Sequence, residues 1–499
     1  MKHQLIHKET ALWNIHFPVQ QEDIKQALRY LKYEEFLKFQ LTMQFIKKQR
    51  HQEVGIAKKF DIHQLQSFIL SLPFQLTKDQ QTSAKEIIED LKSPQMMYRF
   101  LQGDVGSGKT VVSAIALYAN YLAGYQGALM APTEILASQH YTTLLSFFKN
   151  TDVRIALLTG SLSLKEKEDM YQKIYQGDVD IVVGTHALFQ KKVDYHNLGF
   201  VITDEQHRFG VEQRKALKNK GNQVDFLIMS ATPIPRTLAI SMYGDMDVST
   251  IKTMPTGRLP VITKYIQSSS MKPILGHLKD YLAQGGQCYV ICPLVEESDS
   301  IEAKSALQIA EAMQKYFKNY YHVGLLHGQM KDEEKDKVML SFQKNDIQIL
   351  VSTTVVEVGV DVKNANMMVI YNADRFGMSQ LHQLRGRVGR GNQQAYCYLM
   401  SSATHKEAVD RLKYMEKSLD GFEISMYDLQ VRGPGEVLGN KQSGLPTFLV
   451  ADVLKDFPIL TIAREDAMKI LDDYDFNNGY QHLISKIQEN LKENNEYVD

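Results

Sequence analysis

The sequence predicts an α/β chain, with two tandem parallel-sheet units between an N-terminal helical linker and a C-terminal helical segment. Two observations carry this. From about 96 to 245, short apolar runs at 97–101, 127–130, 181–183, 200–203 and 226–229 alternate with helical stretches. The alternation restarts near 260, with runs at 288–292, 323–326, 347–351 and 367–371. Strand, turn, helix, strand is the grammar of a parallel sheet with crossover helices. Met254-Pro255-Thr256-Gly257 punctuates the join. The division expected is a linker over 1–75, units over 76–250 and 251–402, and a C-terminal segment over 403–499.

Within the linker, Ile24, Leu28, Leu31, Phe36, Leu37, Phe39, Leu41 and Phe45 recur near helical spacing, so 22 to about 50 reads as helix. Leu72-Pro73-Phe74 breaks the pattern, and Thr77 is placed to cap the next helix. The last segment reads as helix from about 402, then as a Gly-rich stretch over 432–444, then as helix again. Its acidic end, 489–499, reads as a solvated tail.

The 499 residues are 44% hydrophobic and 23% charged, which excludes a disordered, collagenous or rod-like chain. Lys plus Arg total 57 against 58 acidic residues; the balance of −1 neither announces nor excludes a nucleic-acid partner, because phosphate contacts need only local cationic patches. No apolar run of membrane-spanning length occurs, and the first residues lack a signal-peptide core, so no membrane role is expected. Cys288, Cys292 and Cys397 form no zinc pattern and read as reduced thiols.

Gly103-Asp104-Val105-Gly106-Ser107-Gly108-Lys109-Thr110 fits GxxxxGK[ST]. Glycines let backbone N–H groups curl around phosphate oxygens, Lys109 would reach the terminal phosphates, and Thr110 Oγ would ligate Mg²⁺. An apolar run precedes the loop and a good helix follows it, whose positive end adds to the cradle. Such a site also needs a carboxylate at the end of a nearby strand. The apolar Phe200-Val201-Ile202 leads into Asp204-Glu205-Gln206-His207. Asp204 would hold Mg²⁺, and Glu205 would polarise the attacking water.

The second unit carries Gln383-Leu384-Arg385-Gly386-Arg387-Val388-Gly389-Arg390. Guanidinium groups stabilise charge on a transferring phosphoryl group, worth about 10³ to 10⁵ in rate. With the arginines on the opposite unit from the phosphate loop, hydrolysis depends on closure of the two, and turnover becomes motion.

This series resembles the superfamily-two helicases and implies two RecA-like P-loop lobes binding ATP and Mg²⁺. Phe74 and Gln80 match the adenine-sensing segment. Motifs I and II fall on the loop and on Asp204 to His207. Ala131-Pro132-Thr133 matches motif Ia, Gly184-Thr185-His186 motif Ib, and Ser230-Ala231-Thr232 motif III. Motif V runs from Val351 through Thr353 and Gly359 to Asp361, and Gln383 to Arg390 is motif VI. The resemblance implies that Thr133, Thr185, Thr353 and the turn His327-Gly328 grip a phosphodiester backbone without reading sequence. Ser230 and Thr232 would link motif II, with its His207, to the strand track. Gly359 and Asp361 would meet the ribose. Gln383, Arg387 and Arg390 would complete the catalytic set, the arginines as fingers.

Asp428-Leu429-Gln430-Val431-Arg432-Gly433-Pro434-Gly435-Glu436 and Leu438-Gly439-Asn440-Lys441-Gln442-Ser443-Gly444 resemble the translocation motif of the RecG family of bacterial branch-migrating DNA helicases. Arg432 and Gln442 would couple lobe closure to duplex movement. The resemblance implies a double-stranded DNA translocase that regresses stalled forks and migrates Holliday junctions. It further implies a monomer in the bacterial cytoplasm, associated with the nucleoid and with single-strand-binding protein. Residues 1–75 resemble the linker after the family's wedge barrel, and no all-β pattern precedes residue 75, so a chain truncated before that linker is expected. The residues leave open a transcription-repair-coupling type of translocase, an RNA-remodelling helicase, and a scaffold that binds nucleotide without turnover. Glu205 and Arg387 speak against the last.

Overall fold

A computed structural model describes residues 3, 5–51, 54–204, 223–231, 239, 246–255, 259–293, 299–318, 320–353, 362, 364–389, 391, 393–432, 448–453, 455–472, 485–487 and 489. Four helices open the chain: α1 (Lys8–His16), α2 (Gln21–His51), α3 (Ile62–Ser71) and α4 (Lys78–Lys92). The periodic stretch of the linker is α2, and α3 stops just before the Leu72-Pro73 break. Thr77 caps α4 as its position suggested: its hydroxyl accepts from Gln80 N (3.3 Å), and Thr77 N donates back to Gln80 Oε1 (2.9 Å).

The first sheet holds β1 (Tyr98–Gly103), β2 (Gln126–Met130), β3 (Ile155–Leu158), β4 (Ile181–Gly184), β5 (Leu198–Asp204), β6 (Asp225–Ser230) and β7 (Asp247–Ile251). They run parallel in the order β3-β4-β2-β5-β6-β1-β7. Crossovers are α5 (Lys109–Leu122), α6 (Glu134–Phe147) and α7 (Leu164–Gln176). The second sheet holds β8 (Ile262–Gln267), β9 (Cys288–Ile291), β10 (Val323–Leu326), β11 (Ile349–Ser352), β12 (Met367–Ile370) and β13 (Tyr396–Ser401), parallel in the order β10-β11-β9-β12-β13-β8. Its helices are α8 (Leu275–Ala283), α9 (Asp299–Phe317), α10 (Asp332–Gln343) and α11 (Met378–Arg385). Central strands such as β2, β4, β9 and β12 are buried at every residue, because helices cover both faces.

The chain then forms a hairpin, α12 (Lys406–Lys417) and α13 (Gly421–Arg432), fastened by Tyr414 stacked on Tyr427 (4.0 Å between centroids, 8° between planes). It returns to the first lobe as α14 (Phe457–Asp472), which lies on α2. Lys32 pairs with Asp456 (2.7 Å), and Tyr33 Oη donates to Asp466 (2.8 Å). Phe448 sits edge-on to Phe36 and Phe39, and Glu35 accepts from Val450 N and Ala451 N. The hairpin therefore belongs to the second lobe, while the chain from residue 448 is anchored on the first. All three cysteines are buried and unbridged.

Candidate nucleotide site and its link to a helical hairpin

The sheet order β5-β6-β1 brings three strand ends side by side: Asp204 closes β5, Ser230 closes β6, and Gly103 closes β1. Ligands of open parallel sheets sit outside such carboxyl ends. The loop after Gly103 turns through Gly106 (φ 81°) and Gly108 (φ 87°) into the start of α5. The left-handed backbone at Gly108 would strain any side chain, and a Cβ there would stand 2.3 Å from Gln80 Nε2 and displace it. Gln80 holds the loop by donating from Nε2 to Ser107 O (2.7 Å). Lys109 Nζ reaches back over the cradle to Gly103 O (2.7 Å) and Asp104 O (3.1 Å). Thr110 stands half-buried at the helix start, and Phe74 is exposed beside Phe147.

Asp204 is buried and bonded to His140 Nε2 of α6 (2.8 Å). Burial pushes its carboxyl up, but the bond and charge of His140, then the charges of Lys109 and Arg387, outweigh burial and hold it below the usual carboxylate range. Sequence spacing offered no signal for His140, since an apolar-faced helix carries many polar residues at its turns.

Motif VI splits in the structure. Arg387 is buried at 7% exposure, and its charge acts on Asp204 across the lobe boundary. Arg385 turns the other way: Nη1 donates to Met415 O (2.9 Å) and Ser418 O (2.8 Å) at the end of α12, and Nη2 donates to His382 Nδ1 (2.7 Å). The close spacing of the arginines, two and three positions apart, hid this division. The other face of His382 meets Asp104 of the phosphate loop, with Nε2 at 2.6 and 2.7 Å from the two carboxylate oxygens. Burial pushes Asp104 up, yet the hydrogen bond from His382, the Val105 N–H and the charge of Lys109 hold it down. At Gly386 the lobes touch, since a Cβ there would lie 2.8 Å from Val105 Cβ. At the start of α11, Asp428 of the hairpin accepts from Met378 N (3.0 Å), and Ser379 and Ser425 share a hydroxyl contact (3.3 Å).

The candidate strand contacts are placed differently from one another. Thr133 Oγ1 caps α6 by accepting from Leu136 N (3.3 Å). Thr185 and Thr353 are buried, and so is Ser230. His327 N-terminal to Gly328 forms a turn closed by Met330 N on His327 O (3.2 Å). Gln383 is half-buried, and Arg432 is the last residue of α13, its side chain outside the described ones. Glu205, His207, Thr232, Gly359, Asp361, Arg390 and Gln442 lie outside the described residues.

Comparison with known proteins decides the family. The DEAD/DEAH box helicase family matches residues 77–240, and the helicase conserved C-terminal domain matches 274–392. ATP-dependent DNA helicase RecG, domain 3, C-terminal, matches 418–497. The ATP-dependent DNA helicase RecG of Bacillus subtilis (strain 168) is 52% identical over 92% of this chain and 68% of its own length. The chain belongs to the RecG family. RecG of Staphylococcus aureus (strain NCTC 8325 / PS 47) is 48% identical over 98% of this chain and 72% of its own length. The structure of RecG bound to a three-way DNA junction superposes with a TM-score of 0.78 at 45% identity, covering 92% of this chain and 60% of that one. The chain thus spans less than two thirds of that RecG. Mss116p bound to single-stranded RNA and AMP-PNP shares the fold alone, at 15% identity and a TM-score of 0.55, over 82% of this chain and 84% of its own. RecG relatives carry the name of ATP-dependent DNA helicases, so nucleotide use comes with the family. Among the described residues, no helix is long and apolar enough to cross a membrane.

Proposed function

We propose that this chain hydrolyses ATP and moves along double-stranded DNA, acting on branched substrates such as stalled forks and Holliday junctions. The observation that carries the reading is the attachment of α11. One face of this helix meets the phosphate loop through His382. Its C-terminal Arg385 and its N-terminal Met378 are both held by the α12–α13 hairpin. A change at the nucleotide loop therefore displaces helix and hairpin as one body. The chain leaving the hairpin at Arg432 is anchored again on the first lobe at Phe448 and Glu35, so closure of the lobes changes the span that 433–447 must bridge.

Within this reading, 76–250 binds the nucleotide, 251–402 closes on it, and 403–499 transmits the movement. The backbone from Gly103 to Thr110 cradles phosphate, with Lys109 turning from its carbonyl partners to the terminal phosphates. Phe74 and Gln80 border the base, and Gly359 and Asp361 the ribose. The donor set fits a hard divalent cation: Thr110 and the anionic Asp204 would hold Mg²⁺, which supplies charge neutralisation at the phosphates. Glu205 orients water, while Gln383, Arg387 and Arg390 stabilise charge from the facing lobe. The hydroxyl of Thr133 already caps α6, so a passing strand meets the first N–H groups of that helix beside it. Thr185, Thr353 and the His327-Gly328 turn complete the track, and Ser230, Thr232 and His207 connect it to the nucleotide. Arg432 and Gln442 engage the duplex. A monomer in the bacterial cytoplasm, working at nucleoid DNA with single-strand-binding protein at forks, completes the proposal.

Phosphate release with a model replication fork, linear duplex DNA and duplex RNA tests it. The fork should stimulate hydrolysis most and RNA least; equal stimulation by RNA would overturn the DNA assignment. Lys109→Ala should lower hydrolysis by about 10² or more, the scale of losing a preorganised charge at a phosphoryl group.

A further inference from the structure

We propose that His382 is a positioning residue: it carries the state of the phosphate loop to the hairpin as the middle member of a buried Asp104–His382–Arg385 chain. The inference rests on the nucleotide-driven reading above, because it says how the loop's occupancy leaves the site.

Donor chemistry fixes the direction of this chain. A guanidinium only donates, so the 2.7 Å contact from Arg385 Nη2 requires His382 Nδ1 to accept. The ring proton then sits on Nε2 and is donated to the Asp104 carboxylate at 2.6 and 2.7 Å. A neutral imidazole therefore stands between a cation and an anion, oriented from both sides. Turning the ring breaks both bonds at once. His382 and Arg385 are 4% and 3% exposed, so water does not replace a lost partner. Beyond Arg385, the last carbonyls of the α12 end continue the chain into the hairpin.

Asp104 is suited to send the signal. Its carbonyl accepts from Lys109 Nζ at 3.1 Å, and its carboxylate accepts from His382. When Lys109 turns to a phosphate, that carbonyl loses its partner, and the same residue's carboxylate holds the second lobe. Val105, next in the loop, lies so near Gly386 that any side chain there would collide with it, so the two lobes meet closely beside Asp104.

A double-mutant cycle tests this, read by affinity for a fluorescent non-hydrolysable ATP analogue with Mg²⁺ and by base pairs travelled per ATP in triplex displacement. The seam forms only when the lobes are closed, so its loss lowers the closed fraction and the apparent affinity with it. His382→Ala and Asp104→Ala should each weaken analogue binding about tenfold, the worth of a charge-assisted hydrogen bond, and the double variant should be no weaker than either. His382→Gln, whose amide accepts from Arg385 and donates to Asp104, should recover most of the affinity and of the distance per ATP. Multiplied losses in the double variant, a His382→Gln as impaired as His382→Ala, or unchanged affinity and distance in His382→Ala would each overturn the proposal. If the alanine variants do not fold, Asp104→Leu with His382→Phe, which fill the same space without the hydrogen bonds, runs the same cycle. A wild-type chain unstimulated by DNA sinks the functional reading, while the binding cycle still judges the chain of three residues.

Discussion

The buried Lys58, in the linker between α2 and α3, and the seam around His382 both bury charge, but their partners belong to different places. Lys58 pairs with Asp225 at the start of β6 and also donates to Gly199 O, while Asp225 Oδ1 takes the Met97 N–H (2.7 Å). Lys58 comes from the linker and its partners from the first lobe against which the linker packs, so the pair does not span the boundary between the two lobes. Burial pulls Lys58 down and pushes Asp225 up, each opposed by the other's charge. Across the lobes, by contrast, a neutral imidazole is interposed between Asp104 and Arg385. At an effective dielectric of about 20, parting a bare ion pair at contact costs about 4 kcal/mol. A neutral group in the middle lowers that barrier while keeping the geometry. A direct ion pair suits a joint that stays shut; a relay through histidine suits one that opens.

That contrast can be broken experimentally, beginning where the effect is largest. Lys58→Ala leaves Asp225 buried without its cation and should cost about 3–5 kcal/mol in urea unfolding, whereas Lys58→Met with Asp225→Leu should be far milder. Neither should change base pairs travelled per ATP; if Lys58→Ala uncouples the motor as His382→Ala does, the Lys58 pair is no passive staple. Asp428→Ala removes a charged acceptor from the start of α11 and should cost about 1.5–3 kcal/mol, with the distance per ATP falling as the hairpin loosens. A loss of stability with unchanged distance would confine Asp428 to packing. Thr77→Ala should cost about 1 kcal/mol, as the capping hydroxyl is lost, and should weaken nucleotide binding slightly by freeing Gln80 from its box.

The smallest effect concerns acid. The folded Asp104 carboxyl lies below its ordinary value of 3.8, so the stability it contributes is fully present above that value. The contribution is lost as pH falls through the folded value. The stability gap between the parent and Asp104→Asn should therefore be constant above pH 3.8 and close below it; a gap that opened on acidification would contradict the direction of the shift.

The fold was legible in the sequence where burial is complete and faded where it is partial. β4, β9 and β12, and β2 after its first residue Gln126, read as apolar runs because both their faces are covered. The sheet edges β3, β7, β10 and β8 bury only some of their residues. Ile262–Gln267, with Thr263 and Lys264 among its residues, shows no such run. In the site, Lys109 and Asp204 were legible because they stand in contiguous motifs. His140 was not, because only the fold of α6 against β5 brings it to Asp204. Nor was the separate duty of Arg385, whose partners follow it by 30 and 33 positions.

The sequence by itself determined the cradle and the two sheets. A phosphate loop is made by consecutive backbone groups, and central strands announce themselves by residue type, so both are local properties of the chain. Only the tertiary structure decided that Asp104 meets His382, 278 positions away, and that Asp428 caps the helix carrying it. A hydrogen bond between distant residues depends on how two lobes and a hairpin pack, and no local pattern of residues encodes that packing.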